Sequence, residues 1–262
     1  MNLTEIQTAT IDAVKNASSI IKEAFGKISN QDIETKSLNS LVTYVDKETE
    51  LSLVAQLKNI VPEASFLTEE ATIELSSSDW QWIIDPLDGT TNFIHRVPVF
   101  GISVALAYKN EIQVGVVYEP NRDECFYATK NQGAFLNGQV INVSTTTQLS
   151  DGLIATGFPY YDYEYTDQYL ALIKELIQNT RGIRRLGAAA IDLCYTANGI
   201  FDAFFEYSLS PWDVAAGSLI VQEAGGKVSD FNGGNNYLFG KSIIATNTTI
   251  YNEFYTSLKK HF

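Results

Sequence analysis

Cysteine is scarce in this chain, which has only Cys125 and Cys194 among its 262 residues. Two cysteines so far apart exclude a disulfide framework and a zinc cluster, and they favour a reducing, cytoplasmic compartment. No run of about 18 apolar residues occurs, which argues against a membrane-spanning helix. The first residues lack a basic segment followed by an apolar one, so no secretory signal is expected.

Positive charge is also scarce. The chain has 18 Lys and Arg against 31 Asp and Glu, which gives a formal net charge of −13. Nucleic-acid-binding proteins usually present a basic face, so this acidity argues against nucleic acid as a partner. The hydrophobic share of 45% is enough for a large buried core. An acidic excess on such a core is compatible with a protein that gathers carboxylates to hold cations.

Hydrophobic periodicity divides the chain near residues 145–150. We predict an N-terminal α+β subdomain over 1–148 and a C-terminal α/β subdomain over 149–262 that completes the active site. The patterns predict helices at residues 4–25, 47–57, 165–178, 188–197 and 214–223, with a last helix ending near 259. They predict strands at residues 82–84, 102–108, 112–118, 124–129, 152–156, 182–185, 202–206 and 242–245.

The most informative segment is residues 82–93, where two acids three residues apart follow a short apolar strand. After Asp85 and Asp88, Gly89 lets the backbone approach a ligand closely. Thr90 can begin a helix whose N–H groups would face an anion. Two acids beside an anion site require a divalent cation that binds both carboxylate and phosphate. The alternative is an Asx-type turn with Asp85 as a helix cap.

Three further acids occur at predicted element ends. Glu69 and Glu70 follow Leu67 at the end of a predicted strand, and as an isolated pair they also suit a solvated surface. Asp213 opens a predicted helix, where a carboxylate is also favoured by the helix dipole alone. The spacing leaves both interpretations open at each place.

Together these segments resemble the inositol monophosphatase family of magnesium-dependent, lithium-sensitive phosphatases, from about Ile33 to the last helix. The resemblance is carried by residues 85–93 (DPLDGTTNF), 212–217 (WDVAAG) and 223–226 (EAGG). It implies a layered αβαβα sandwich of the sugar-phosphatase type, an α/β (α+β) fold. The N-terminal sheet would be mixed or antiparallel and the C-terminal α/β half smaller. Thr68 stands where the family often has glycine.

The resemblance also implies a role for individual residues. The implied metal ligands are Glu69, Asp85, the carbonyl of Leu87, Asp88 and Asp213, which would hold two or three Mg²⁺ ions. The implied catalytic residues are Thr90 and Asp46, which would orient and help deprotonate the attacking water, together with Glu69. The implied substrate-binding residues are Lys36, Gly89, Thr90, Gly187, Ala188, Ala189, Glu206 and Asp213.

The implied reaction is hydrolysis of a small phosphate monoester, most simply inositol 1-phosphate, by attack of a metal-activated water. The implied assembly is a homodimer. Other substrates of the same chemistry are fructose 1,6-bisphosphate, a 3′-phosphonucleotide or NADP. The hypothesis of a different class is a regulatory protein that keeps the fold and binds transcription machinery or RNA. Five acids favour the enzyme, because a pure binding protein has no need of them.

Two segments keep alternative interpretations. Arg181, Arg184 and Arg185 form a basic cluster that suits ion pairs, a subunit contact or a second anion site. Residues 158–165, which are aromatic and acidic, suit ordinary loop packing or an edge of the substrate pocket. His95 follows the acidic motif, and a lone histidine there suits core packing or the surface better than an oxygen-rich metal site.

Overall fold

The computed structural model describes residues 2–37, 40–72, 78–160 and 162–262. Within them the helices are α1 (Leu3–Ala24), α2 (Tyr44–Ile60), α3 (Thr90–Ile94), α4 (Thr166–Asn179), α5 (Ala189–Ala197), α6 (Pro211–Glu223) and α7 (Tyr251–Leu258). The strands are β1 (Ile33–Ser37), β2 (Ser40–Thr43), β3 (Ser65–Thr68), β4 (Trp80–Asp88), β5 (Gly101–Tyr108), β6 (Glu111–Glu119), β7 (Glu124–Thr129), β8 (Ala134–Leu136), β9 (Gln139–Ile141), β10 (Leu153–Thr156), β11 (Gly182–Arg184), β12 (Ala203–Tyr207), β13 (Gly226–Ser229) and β14 (Ser242–Asn247). None of these helices is long and apolar enough to cross a membrane.

The helices and the two larger sheets form five layers, in the order helices, sheet, helices, sheet, helices, and these layers enclose three hydrophobic cores. One core lies between α1, α2 and one face of the first sheet, and a second joins the other face to α5, α6 and the second sheet. The third core covers the far face of the second sheet with α4 and α7. Neighbouring residues of a strand point to opposite faces, so Ile83 enters the second core and Ile84 the first. The predicted αβαβα sandwich is confirmed.

Strands β1 and β2 form a small antiparallel sheet, and the two larger sheets differ in their connectivity. The first has the order β3-β4-β5-β6-β7-β8-β9, in which β3 is parallel to β4 and the remaining pairs are antiparallel. The second has the order β11-β10-β12-β14-β13 and is mixed. Residues of both sequence halves share the second core, including Ile83 and Ile191. The division into subdomains at residues 148 and 149 stays a prediction.

Three predicted element boundaries near the acids were wrong. Strand β4 does not end at Ile84, because β5 continues beside it and pairs with Asp85 and, after a register shift, with Asp88. Pro86 has no N–H to donate, which suits it to the irregular stretch between those two pairs. Helix α2 begins three residues earlier than predicted, and so does α6, because Thr43 and Ser210 cap them. Strands β1, β2, β8, β9 and β13 were also missed.

Candidate active site

One open cavity contains most of the residues to which the sequence assigned a role. It lies where β4, β12 and the first turns of α3, α5 and α6 meet, and it is lined by Glu69, Asp85, Leu87, Asp88, Gly89, Thr90, Gly187, Ala188, Ala189, Glu206 and Asp213. Asp46 lies behind Thr90 and contacts it. Lys36 is on β1, and its side chain lies outside the described part of the chain.

Three carboxylates converge in this cavity. Asp85, Asp88 and Asp213 each place a carboxylate oxygen within 4.8 Å of the others. Burial raises the pKa of Asp85 well above its usual range, and the charges of Glu69, Asp88 and Asp213 raise it further. Burial also raises the pKa of Asp88 to about 7 and that of Asp213 to about 7. Such a cluster is strained by its own repulsion unless protons or a cation neutralise it.

Local backbone structure orients each of the three acids. Asp85 Oδ1 accepts from Leu87 N at 2.9 Å, so the Asx-type turn is present together with the cluster. The N-cap of α3 is Gly89, so the alternative interpretation of Asp85 as a helix cap does not hold. Asp88 Oδ2 accepts from Ala190 N at 2.7 Å, in the first turn of α5.

Asp213 occupies the third position of α6. Its Oδ2 atom accepts from Ser210 N at 2.7 Å and closes a capping box. Asp213 can therefore stabilise the start of α6 and belong to the acid cluster at the same time, since a carboxylate has two oxygens and several lone pairs. The same local structure that starts the helix aims this acid at the cavity.

Asp46 and Thr90 form a hydrogen-bonded pair at the side of the cavity. Thr90 Oγ1 lies 3.0 Å from Asp46 Oδ1 and 3.0 Å from the carbonyl oxygen of Leu87, and it can donate to either. Asp46 Oδ2 accepts from Thr43 N and Thr43 Oγ1 at 2.8 and 2.7 Å, in the capping box of α2. Burial raises the pKa of Asp46, and the hydrogen bonds from Thr43 and Thr90 oppose that rise.

Gly89 sets the close approach that starts α3. Its φ of +92° lies in the left-handed region, and a Cβ atom there would come within 3.0 Å of the Val99 carbonyl oxygen. Asn92 Nδ2 donates to that same oxygen and to the Leu186 carbonyl, both at 2.8 Å. These bonds join α3 to the segment that precedes Gly187, which explains how both segments come to line one cavity.

Glu206 lines another part of the same cavity. This residue is buried near the end of β12, and burial together with the charge of Asp192 raises its pKa well above the usual range. A side chain at Gly157 would overlap the Glu206 carboxylate, so the glycine makes room for it. The position that the resemblance assigned to substrate hydroxyls therefore does line the cavity.

The basic cluster is split by the fold. Arg181 pairs with Asp151 at 2.8 Å on the surface, away from the cavity. Arg185 lines the cavity, where its Nη2 donates to the Tyr160 hydroxyl at 2.9 Å. Its guanidinium also lies 5.7 Å from the ring centre of Phe158.

Arg185 and Tyr160 were the site residues that the sequence left undecided. They follow β11 and β10, which are parallel neighbours, so their segments meet at the same edge of the sheet. The adjacency of those two strands was the signal that could have placed them together. His95 is exposed and does not line the cavity.

Glu223, the first residue of the segment 223–226, has a structural role. Glu223 Oε1 accepts from Asn131 N at 2.7 Å, and its Oε2 accepts from Gln132 N and Gly133 N at 3.0 and 2.8 Å. These three donors form the turn between β7 and β8. The acid therefore holds a turn and does not line the cavity.

The chain belongs to the inositol monophosphatase family, whose model matches residues 2–261. The family identified from the sequence is thereby confirmed, and the match extends to α1. Nus factor SuhB of Escherichia coli (strain K12) is 42% identical over 241 residues, which cover 92% of this chain and 90% of that protein.

Solved structures give the same result. The extragenic suppressor protein suhB from Bartonella henselae superimposes with a TM-score of 0.93 at 37% identity, covering 98% of this chain and 100% of that one. An inositol monophosphatase from Anabaena (Nostoc) superimposes with a TM-score of 0.89 at 34% identity, covering 99% of this chain and 97% of that one.

Proposed function

We propose that this protein is a magnesium-dependent phosphomonoesterase whose substrate is a small phosphate ester, most simply inositol 1-phosphate. The observation that carries the proposal is the convergence of Asp85, Asp88 and Asp213 in one cavity. Their raised pKa values mark a site that is destabilised when all three are ionised without a cation. Membership of the family supports phosphatase chemistry.

The donor set suits a hard divalent cation. All the ligating groups are oxygens, which Mg²⁺ prefers over nitrogen or sulfur. We assign one metal position to Glu69, Asp85 and the Leu87 carbonyl, a second to Asp85, Asp88 and Asp213, and a third to Glu69. Bound Mg²⁺ would neutralise charge on the phosphoryl oxygens and lower the pKa of a water. The resemblance to the family also implies inhibition by Li⁺ at the second position.

The chain's own groups supply orientation. Thr90 Oγ1 can donate to Asp46 while its lone pairs accept from an attacking water, which fixes the direction of that water. Asp46 is held by Thr43 and is suited to take a proton through the Thr90 hydroxyl. The N–H groups of Gly89 and Thr90 would hold phosphate oxygens.

The part of the cavity lined by Glu206 would bind the alcohol part of the substrate. Buried Glu206 can bond sugar or inositol hydroxyls, and the segment Gly187–Ala189 leaves room for the ring beside it. Lys36 would approach the phosphate from the entrance. Arg185 also lines the cavity and could pair with a second phosphate group, which supports the alternative substrates with two phosphates or a nucleotide.

The decisive experiment measures phosphate release from a panel of inositol, sugar and nucleotide phosphates at varied Mg²⁺. We expect Mg²⁺-dependent hydrolysis with one substrate standing clear in kcat/KM. Asp88→Asn should lower turnover severely and weaken metal binding, with an unchanged circular dichroism spectrum. Near-normal turnover in that variant, or no phosphate release from any ester, would contradict the proposal.

A second candidate function rests on the names of the relatives. Proteins 42% identical to this chain are named Nus factor SuhB, so a Nus-factor role is a specific alternative. Complementation of a strain that lacks this protein distinguishes the two functions. Restoration of the cellular phenotype by Asp88→Asn would support the regulatory role, whereas failure of a stably expressed Asp88→Asn protein would support the enzyme. A cytoplasmic homodimer remains our expectation for either function.

A further inference from the structure

Glu50 is a buried acid on α2 that the assigned roles leave out. Its side chain is fully buried, yet its carboxylate has four hydrogen-bond donors around it. Oε1 accepts from Thr68 Oγ1 at 2.9 Å, from Thr72 N at 2.8 Å and from Thr72 Oγ1 at 2.6 Å. Oε2 accepts from Glu70 N at 2.8 Å. A buried carboxylate is tolerated when its lone pairs are satisfied in this way.

All four donors belong to the segment that carries Glu69. Residues 68, 70 and 72 contact Glu50, so they bracket Glu69 on both sides. The backbone N–H of Glu69 donates to the Ile84 carbonyl at 3.2 Å, which ties the segment to β4. Glu69 and Asp85 line the same cavity, and the charge of Glu69 contributes to the raised pKa of Asp85.

Helix α2 therefore connects two parts of the cavity. Asp46, four residues before Glu50, contacts Thr90, and residues four apart lie on one face of a helix. We propose that Glu50 is a positioning residue, which fixes the 68–72 segment so that Glu69 meets Asp85 in metal-binding geometry. This inference rests on the proposed function, because it concerns a residue assigned there as a metal ligand.

Thr68 makes the arrangement specific to this chain's sequence. It stands where the family often has glycine, a residue that offers no hydroxyl. Here the hydroxyl supplies one of the donors to Glu50. The Thr68 hydroxyl is therefore part of the clamp formed by Glu50, Thr68, Glu70 and Thr72.

The test measures Mn²⁺ binding to the full chain by electron paramagnetic resonance, without substrate. Glu50→Gln puts an amide N–H₂ group where a backbone or hydroxyl donor needs an acceptor. We expect it to weaken Mn²⁺ binding about 10- to 100-fold, as removal of an outer-shell partner does. Thr68→Val, which removes one donor at nearly constant volume, should weaken binding about fivefold. Glu48→Gln, on the exposed face of α2, is the matched control and should bind like the parent chain.

Thermal unfolding of each variant in EDTA separates positioning from folding. The proposal is overturned if folded Glu50→Gln and Thr68→Val both bind Mn²⁺ within twofold of the parent chain, whatever their melting temperatures. Should Glu50→Gln fail to fold, Thr68→Val decides alone. A parent chain that binds no Mn²⁺ would instead contradict the proposed function.

Discussion

Asp213 and Glu223 lie at the two ends of α6, both in segments that carry the family resemblance, and they have different roles. Asp213, at the start of α6, lies in a cluster with Asp85 and Asp88, and burial raises its pKa to about 7. Glu223 at the end has three backbone N–H groups on its two oxygens and holds the turn after β7.

The difference is one of partners. A half-buried acid surrounded by N–H donors, such as Glu223, contributes to folding, whereas a half-buried acid that faces other acids, such as Asp213, opposes it. An acid that faces other acids is tolerated where a bound cation neutralises their charges. Substitution of Asp213 should therefore lower activity and raise the stability of the metal-free protein, whereas substitution of Glu223 should lower stability and leave activity unchanged.

The largest effect is expected from Asp213→Asn. Asparagine keeps an acceptor for Ser210 N, so α6 should still begin at Pro211. Loss of a metal-binding carboxylate should lower kcat/KM about 1,000-fold, since bound metal supplies several kcal/mol of charge stabilisation. The EDTA-treated variant should be more stable than the parent chain, because one repelling charge is gone.

Urea unfolding in EDTA measures the stability of the Asp213→Asn variant, and phosphate release measures its kcat/KM. A variant that is both less stable and nearly fully active would contradict the assignment of Asp213 to the repelling cluster.

The pH dependence of the metal-free protein sharpens the comparison. Asp88 and Asp213 have pKa values near 7 when folded, against about 3.9 for an unfolded Asp. The folded state therefore binds more protons between these values, so its unfolding free energy should fall as pH rises from about 4 to 7. Each unit of pKa difference corresponds to about 1.4 kcal/mol.

Urea titrations in EDTA at pH 5 and pH 8 measure this slope. Asp213→Asn should flatten it, and Mg²⁺ should restore stability most at the higher pH. An equal slope in the parent chain and the variant would refute the electrostatic account of the cluster.

Glu223→Gln tests the other end of α6. An amide can satisfy fewer of the three N–H donors, so we expect a loss of about 1–3 kcal/mol in unfolding free energy. Turnover measured well below the melting temperature should stay at the parent value, because the residue lies outside the cavity. Glu63→Gln, on an exposed position, is the control. A large loss of kcat in folded Glu223→Gln would place this acid in the catalytic machinery.

The smallest expected effect concerns specificity. Arg185→Gln should raise KM for esters with a second phosphate up to about fivefold more than for monophosphates, since an edge ion pair contributes about 1 kcal/mol at most. Arg184→Gln is the control, because Arg184 is exposed and outside the cavity. Equal changes in KM for both substrate classes would assign Arg185 to orienting Tyr160 instead.

Sequence patterns predicted most helices and central strands, because burial on one face imposes a period that can be read directly. They missed the short strands β1, β2, β8, β9 and β13, which have too few residues to show a periodicity. They also ended β4 too early, since only the pairing with β5 extends that strand past Ile84.

The sequence likewise predicted some residues of the candidate site and not others. The acids of residues 85–88 and 213 were recognisable because their neighbours form motifs. Glu50 and Arg185 were not, because their roles depend on contacts with residues 18 to 25 positions away along the chain. Contacts at that distance are set by the packing of whole elements, which local spacing does not encode.

The most direct test of the central claim is the anomalous diffraction of Mn²⁺ in crystals of the full chain. We predict at least one strong manganese peak within coordination distance of Asp85, Asp88 and Asp213, and its loss in crystals of Asp213→Asn. A well-ordered cavity without manganese at these three carboxylates, at saturating Mn²⁺ and neutral pH, would contradict the account.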